Sequence, residues 1–259
     1  MMRLTILGAS PACQNPGGAC SGYLVEQDDT AILVECGSGV FSRLQQYVKP
    51  EHVSAILISH MHADHSLDLM QYRYYLYFAA ARRSGVPHPT LYFPPEGHST
   101  MLGVSRMQDS SATFFSSVFE TREYDPDRVL EIGPLAVEFV PVAHIEHSYG
   151  MRIRGDGLLA FSGDTGLCDS LPTLARDSDV FLCECSNTED SDYAFHLTPR
   201  QAGAVAQEAG AKRLVLTHRW AVDGQDSAAI EAGETFHGPV AIAREDMRFS
   251  IGVDPAAAL

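Results

Sequence analysis

Nine side chains in this sequence are of types that bind metal ions or move protons, and their spacing is informative. The densest stretch is ILISHMHADHSLDLM, residues 56–70, where His60, His62, Asp64 and His65 form H-x-H-x-D-H directly after an apolar run. Imidazoles two residues apart in a loop can point at one ion, while an adjacent Asp–His pair turns toward another. Imidazole nitrogen and carboxylate oxygen are ligands that zinc and manganese accept. A cluster of surface histidines would not need to abut an apolar strand end, where rigid sites are built. His144 closes VEFVPVAH, Asp164 lies between glycines in FSGDTG, and His218 ends RLVLTH. One histidine after an apolar strand is usually a satisfied boundary residue; three such endings beside H-x-H-x-D-H are a constellation. Glu184 in FLCECS and His196 in FHLTPR complete the nine.

The elements that must position these groups are legible from periodicity and turn residues. Strands are expected at 3–8, 21–27 and 30–36, and VSAILIS (53–59) is short, apolar and β-branched, hence a buried strand. Helices are expected over 39–48, 66–83 and 96–107, with a strand at 90–93. Residues 128–161 read as successive strands broken at Gly133–Pro134 and Gly155–Asp156–Gly157. Strands at 178–185, 213–218 and 239–243 then alternate with helices at 198–209 and 226–236. The 198–209 helix is the best marked, with Thr198 as N-cap, Pro199 at the first position, Gln201 completing a capping box and Gly210 as the stop. Strands interleaved with helices make this an α/β chain, expected to form one domain over 1–259, its sheets packed together and its helices outside.

Composition excludes several function classes. The chain has 259 residues, 45% of them hydrophobic, which is ample for a core. No window approaches the ~20 apolar residues of a membrane span. MMRLTILGASPAC reads as a strand and not as an export signal, so a cytoplasmic location is expected. The net charge is −15, and Lys49 and Lys212 are the only lysines, with Arg82–Arg83 the only adjacent arginine pair. A protein that grips nucleic acid needs a basic stripe, so general nucleic-acid binding is not expected. Six cysteines without a CxxC pair read as reduced, mostly buried thiols, with a Cys13–Cys20 bridge the less favoured reading.

The set SHMHADH, PVAH, FSGDTG and VLTH, in this order and spanning nearly the whole chain, resembles the metallo-β-lactamase fold superfamily. The resemblance implies a four-layer αβ/βα sandwich with a dinuclear site at one edge of the two sheets. It implies that His60, His62 and His144 hold one metal, that Asp64, His65 and His218 hold the other, and that Asp164 bridges them. Two divalent cations about 3.5–4 Å apart can share a hydroxide nucleophile and stabilise attacking and leaving oxygens. Zn²⁺ is the first choice, with Mn²⁺ or iron the alternatives according to supply.

Fold does not fix substrate. His196, twenty-two residues before His218, and Glu184 look like the histidine in His-x-Thr context and the strand-end carboxylate of the phosphodiesterase branch, which includes ribonuclease Z. In that branch His196 contacts the scissile phosphate or protonates the leaving oxygen and Glu184 orients it, giving Asp64, His196 and Glu184 as the catalytic set. Ribonuclease Z carries a long basic arm between the positions of His144 and Asp164, where this chain has nineteen residues. SGDTGLCD, DVFLCE, HL and AG are closer to small bacterial phosphodiesterases of cyclic nucleotides, which implies a small diester substrate such as 3′,5′-cyclic AMP. Hydrolysis of a lactone, lactam or sulfate ester, a ribonuclease Z-like nuclease, or metal binding without turnover are the rival readings. The sequence departs from many relatives at Glu35, where they carry an aspartate that buttresses the metal loop from behind. His98 and His147 are further candidates for the pocket. Tyr72, Tyr74, Tyr75, Tyr77 and Phe78 make residues 66–83 an expected homodimer face with one or two tyrosines at the site mouth.

Overall fold

The computed structural model describes residues 1–82, 85–191, 193–221 and 227–252. Residues 83 and 226, the ends of two expected helices, and the 253–259 end of the expected domain lie outside the described residues. The first half runs β1 (Met2–Gly8), β2 (Gly22–Gln27), β3 (Thr30–Val34), α1 (Val40–Leu44), β4 (Ala55–Leu57), α2 (Ala63–Ser66), α3 (Leu69–Arg82), β5 (Thr90–Phe93), α4 (Gly97–Ser105) and β6 (Glu120–Glu123). The second runs β7 (Leu130–Ile132), β8 (Leu135–Pro141), β9 (Tyr149–Arg154), β10 (Leu158–Phe161), α5 (Leu171–Ala175), β11 (Val180–Glu184), α6 (Pro199–Glu208), β12 (Leu214–Thr217), α7 (Ala228–Gly233), β13 (Val240–Ile242) and β14 (Arg248–Ile251).

Two seven-stranded sheets result, ordered β14-β1-β2-β3-β4-β5-β6 and β13-β12-β11-β10-β9-β8-β7. In each, hairpin-linked strands pair antiparallel and helix-linked strands pair parallel, as connection length dictates. The period-2 alternation of side chains sorts the apolar residues. Ile6, Val25, Ile32 and Leu57 face Val137, Ile153, Phe161 and Leu182 between the sheets. Leu33, Ile56 and Leu91 instead meet the helical residues Leu44, Tyr72 and Met101 outside the first sheet. Phe181 and Leu216 meet Leu174, Val205 and Ala232 outside the second. The architecture is the α/β four-layer αβ/βα sandwich implied by the sequence resemblance.

Differences from the sequence expectation have local causes. Helix 39–48 shortens to α1, and helix 66–83 is split, because the ligand-bearing turn 63–66 closes separately before α3. β6 and β14 carry the patterns ETRE and RFSI, an exposed edge and a short alternating edge, and no apolar run announces them. Thr198 makes both capping-box bonds to Gln201, as its sequence context predicts. The aromatic helix differs most. Tyr72 is buried and donates to the Pro50 carbonyl at 2.6 Å, Tyr75 donates to Glu51 at 2.9 Å, and Tyr74 packs on the same core, so only Tyr77 and Phe78 point outward. All six cysteines are free thiols; Cys13 is exposed and Cys20 buried, and the two do not bridge.

Leu182 is fully buried between the sheets. Leu182→Ala should cost about 2–5 kcal/mol through lost burial and a cavity, read as a lower urea midpoint at an unchanged slope.

Candidate metal centre

Each of the nine groups reaches the same edge of the sandwich because β4, β8, β10, β11 and β12 end there. His60 follows β4, His62 stands at the N-cap position of α2, and Asp64 and His65 lie on α2. His144 follows β8, Asp164 follows β10 and His218 follows β12. Gly163, at φ +60°, turns the chain so that Asp164 enters the site, and a Cβ there would sit 2.9 Å from the Tyr149 carbonyl. His218 itself takes a left-handed φ of 54°. A backbone of that kind costs about 1–2 kcal/mol in a residue with a Cβ, a strain typical of functional positions.

The side chains form two groups that share Asp164: His60, His62, His144 and Asp164; and Asp64, His65, Asp164 and His218. In the first, His62 Nδ1 lies 3.0 Å from His60 Nε2 and 3.2 Å from His144 Nε2. His60 Nε2 and His144 Nε2 each lie 3.9 Å from Asp164 Oδ2. In the second, His65 Nε2 is 3.3 Å from both Asp64 Oδ2 and Asp164 Oδ2, and His218 Nε2 is 3.1 and 3.3 Å from the same atoms. Asp164 Oδ2 therefore belongs to both clusters.

These donor sets fit divalent metal. Burial pushes His60 and His62 down, and His144 down to about 4, keeping these imidazoles neutral, the form that ligates. His144 Nδ1 faces the Phe195 carbonyl at 3.2 Å and donates to it, leaving Nε2 bare. Several bare nitrogens converging on one another repel unless a cation sits among them. Zinc–nitrogen bonds of about 2.0–2.1 Å imply tetrahedral edges of about 3.3 Å, the scale of the separations above. The second cluster is governed by charge. Burial opposes ionisation of Asp64 and Asp164, but His218 and His65 outweigh it and hold both carboxyls below the usual range. Burial likewise opposes a charged His65, and Asp164, Asp64 and Glu35 reverse that and raise it well above the imidazole range. A bound cation would take over the role of that imidazolium.

The supporting contacts resolve the departure at Glu35. This residue has a φ of 64°, is fully buried, accepts from Ser59 N–H at 3.1 Å and places Oε2 3.5 Å from His65 Nδ1. The longer side chain thus still stands behind His65, as in the carboxylate–histidine arrangement that fixes ring orientation at metal sites. Ser59 Oγ lies 3.0 Å from His60 Nδ1, a contact the sequence reading missed, although its place beside H-x-H-x-D-H could have suggested it.

Glu184 is fully buried at the end of β11 and gathers the surrounding loops. It accepts from Leu197 N–H at 2.8 Å, Thr165 N–H at 3.4 Å and Ser186 N–H at 3.1 Å, and stands 3.3 Å from His196 Nδ1. His196 stacks on His218 with ring centroids 5.5 Å apart, so Glu184 and His196 adjoin the metal clusters through His218. His98 and His147 do not join them: His98 stacks on Phe93 on the helix side of the first sheet, and His147 turns toward Glu146.

Because one oxygen serves both clusters, Asp164→Ala should bring metal content well below that of the wild type, measured by elemental analysis after identical purification, and abolish hydrolysis. Full metal and full turnover in that variant would refute the shared-ligand assignment.

Residues 30–219 match the family described as Beta-lactamase superfamily domain. The chain is 35% identical over 244 residues to "Uncharacterized protein Rv1339" of Mycobacterium tuberculosis, covering 92% of this chain and 88% of that one. It is 31% identical over 246 residues to "Probable metallo-hydrolase YhfI" of Bacillus subtilis, covering 94% and 97%. The crystal structure of YhfI superposes with a TM-score of 0.85 over 96% of this chain and 98% of that one, at 28% identity. Ribonuclease Z of Thermobifida fusca is 27% identical over 96% of this chain and 94% of its own. With its two clusters of histidine and aspartate at the edge of a four-layer sandwich, the chain belongs to the β-lactamase superfamily and is a metallo-hydrolase of the metallo-β-lactamase fold.

Proposed function

We propose that this metallo-hydrolase is a phosphodiesterase of small diesters, with a 3′,5′-cyclic nucleotide as its kind of substrate. The observation that carries the reading is the Glu184–His196 pair beside the metal clusters, a proton-handling unit in addition to the metal ligands. The similarity to a ribonuclease Z supports phosphodiester chemistry in particular.

We assign His60, His62 and His144 to one cation and Asp64, His65 and His218 to the other, with Asp164 common to both and zinc the first choice. When bound, the cations supply Lewis acidity and a nucleophile drawn from water. The remaining work falls to the chain. Asp64 and Asp164 stay ionised and fix the two positions. His196 directs Nδ1 to Glu184, which leaves Nε2 for the substrate. Burial disfavours its charge, but Glu184 outweighs burial and raises its pKa, so His196 holds a proton that it can give to the leaving oxygen or use to bind the phosphate. Glu184 positions it and, through three backbone N–H groups, holds the loops on which it rides.

The substrate is small because the chain is strongly acidic, with a net charge of −15, and phosphate backbones are gripped by clustered cations. We place the enzyme in the cytoplasm as a single-domain homodimer that pairs through the outward Tyr77 and Phe78. Among the described residues no helix is long and apolar enough to cross a membrane.

A positioned acid contributes about 10²–10⁴-fold to rate, so His196→Ala should lose that much kcat on diesters with alkoxide leaving groups and less on nitrophenyl esters, with metal content retained. Equal losses on both would make His196 a phosphate contact, and an unchanged rate would remove the main support for the phosphodiester reading. A precursor tRNA at physiological salt should be left intact. Efficient cleavage would restore a ribonuclease.

A further inference from the structure

The described residues include twelve large hydrophobic side chains that are exposed, and six of them stand within three positions of a site residue: Leu67, Ile145, Leu167, Tyr193, Phe195 and Trp220. Exposed apolar side chains gathered together mark binding surfaces, and six beside one site make it the place to look for such a surface. Tyr193 and Phe195 are the most coherent part of it. They are 54% and 47% exposed, yet their rings lie 5.5 Å apart and continue the imidazole array, Tyr193 lying 5.6 Å from His196 and Phe195 lying 6.3 Å from His144.

The backbone beneath these rings is held firmly. Asn187 Nδ2 donates to the Tyr193 carbonyl at 2.6 Å and to the His196 carbonyl at 2.8 Å, and Glu184 accepts from Leu197 N–H. Gly166 lets the strand-end loop approach so closely that a Cβ there would sit 1.8 Å from the Ala194 carbonyl. Rings on pinned backbone lose little freedom when a ligand stacks on them. Beside them opens a cavity of about 240 Å³ lined by Leu167, Asn187, Tyr193, His196, Thr198 and Gln201, among others, and among the described residues of its wall His196 is the one ionisable group besides the weakly acidic phenol of Tyr193.

We propose that Tyr193 and Phe195, with this cavity, form the subsite for the planar base of a nucleotide diester, and so set which small diesters are accepted. The assignment rests on the phosphodiester reading and deepens it. A partly aromatic wall whose described residues hold a single basic group, His196, suits a heteroaromatic ring better than an extended polyanion. The amide of Gln201 and the hydroxyl of Thr198 supply polar groups for the ring edge. His196 lines the cavity and also stacks on His218. A base in the cavity and a phosphodiester at the metal clusters would therefore both border this one imidazole, as suits a base and a phosphate carried on a single ribose.

The test compares two substrates, 3′,5′-cyclic AMP and ribose 3′,5′-cyclic phosphate, which has the same diester and no base. Base–aromatic stacking of about 1–3 kcal/mol corresponds to about 5- to 150-fold. The ratio of kcat/KM for the nucleotide over the base-free diester should fall by that factor in Tyr193→Ala/Phe195→Ala, chiefly through KM, and should be kept in Tyr193→Phe. A ratio unchanged within about twofold, whether both activities fall together or neither does, overturns the subsite. If the wild type hydrolyses neither diester, the phosphodiester reading fails separately. The subsite is then judged on adenosine 5′-monophosphate binding by saturation-transfer NMR: base-proton signals lost in the double variant uphold it, and signals absent from the wild type or equal in both proteins overturn it.

Discussion

The structure depends on one buried carboxylate. Asp164 is 3% exposed, ionised, and offers a single oxygen to His65 and His218 at 3.3 Å and to His60 and His144 at 3.9 Å. An isolated charge so placed would cost several kcal/mol to bury. Here the cost is offset by the four histidines around that oxygen, a donor set that also fits divalent cations. The rest of the molecule can be read as the scaffold that brings these groups to one oxygen.

That scaffold is two sheets whose strands end at a common edge. The inter-sheet core of Ile6, Ile32, Leu57, Phe161 and Leu182 fixes how the sheets face each other, and with it the distance between the ligands from β4 and those from β8, β10 and β12. Fine positioning comes from behind the ligands. Glu35 backs His65, Ser59 touches His60, the Phe195 carbonyl sets the tautomer of His144, and Glu184 ties two loops together beside His196. The loop that carries His196 also carries Tyr193 and Phe195, so proton handling and the exposed aromatic wall are held by the same hydrogen bonds.

Much of this was legible in the sequence because the ligands follow apolar strands, and an apolar run ending in histidine or aspartate is a local signal. H-x-H-x-D-H, the capped helix at Thr198 and the parallel strands of both halves all carry such signals, and the structure has them in place. What was not legible depends on contacts distant in sequence. β6 is polar and exposed and exists because β5 offers it an edge. β14 closes the first sheet by pairing with β1, at the other end of the chain. The tyrosines of α3 read as a surface stripe, yet Tyr72 and Tyr75 are drawn inward by the Pro50 carbonyl and Glu51. Glu35 takes a left-handed backbone and lies 3.5 Å from His65, and no pattern in the sequence announces either.

The central claim, that one Asp164 oxygen joins two metal positions, is tested most directly by anomalous diffraction from crystals grown with zinc. Two anomalous peaks should flank Asp164 Oδ2, one among His60, His62 and His144 and the other among Asp64, His65 and His218. A single peak, or a second one outside the Asp64–His65–His218 cluster, would contradict the account.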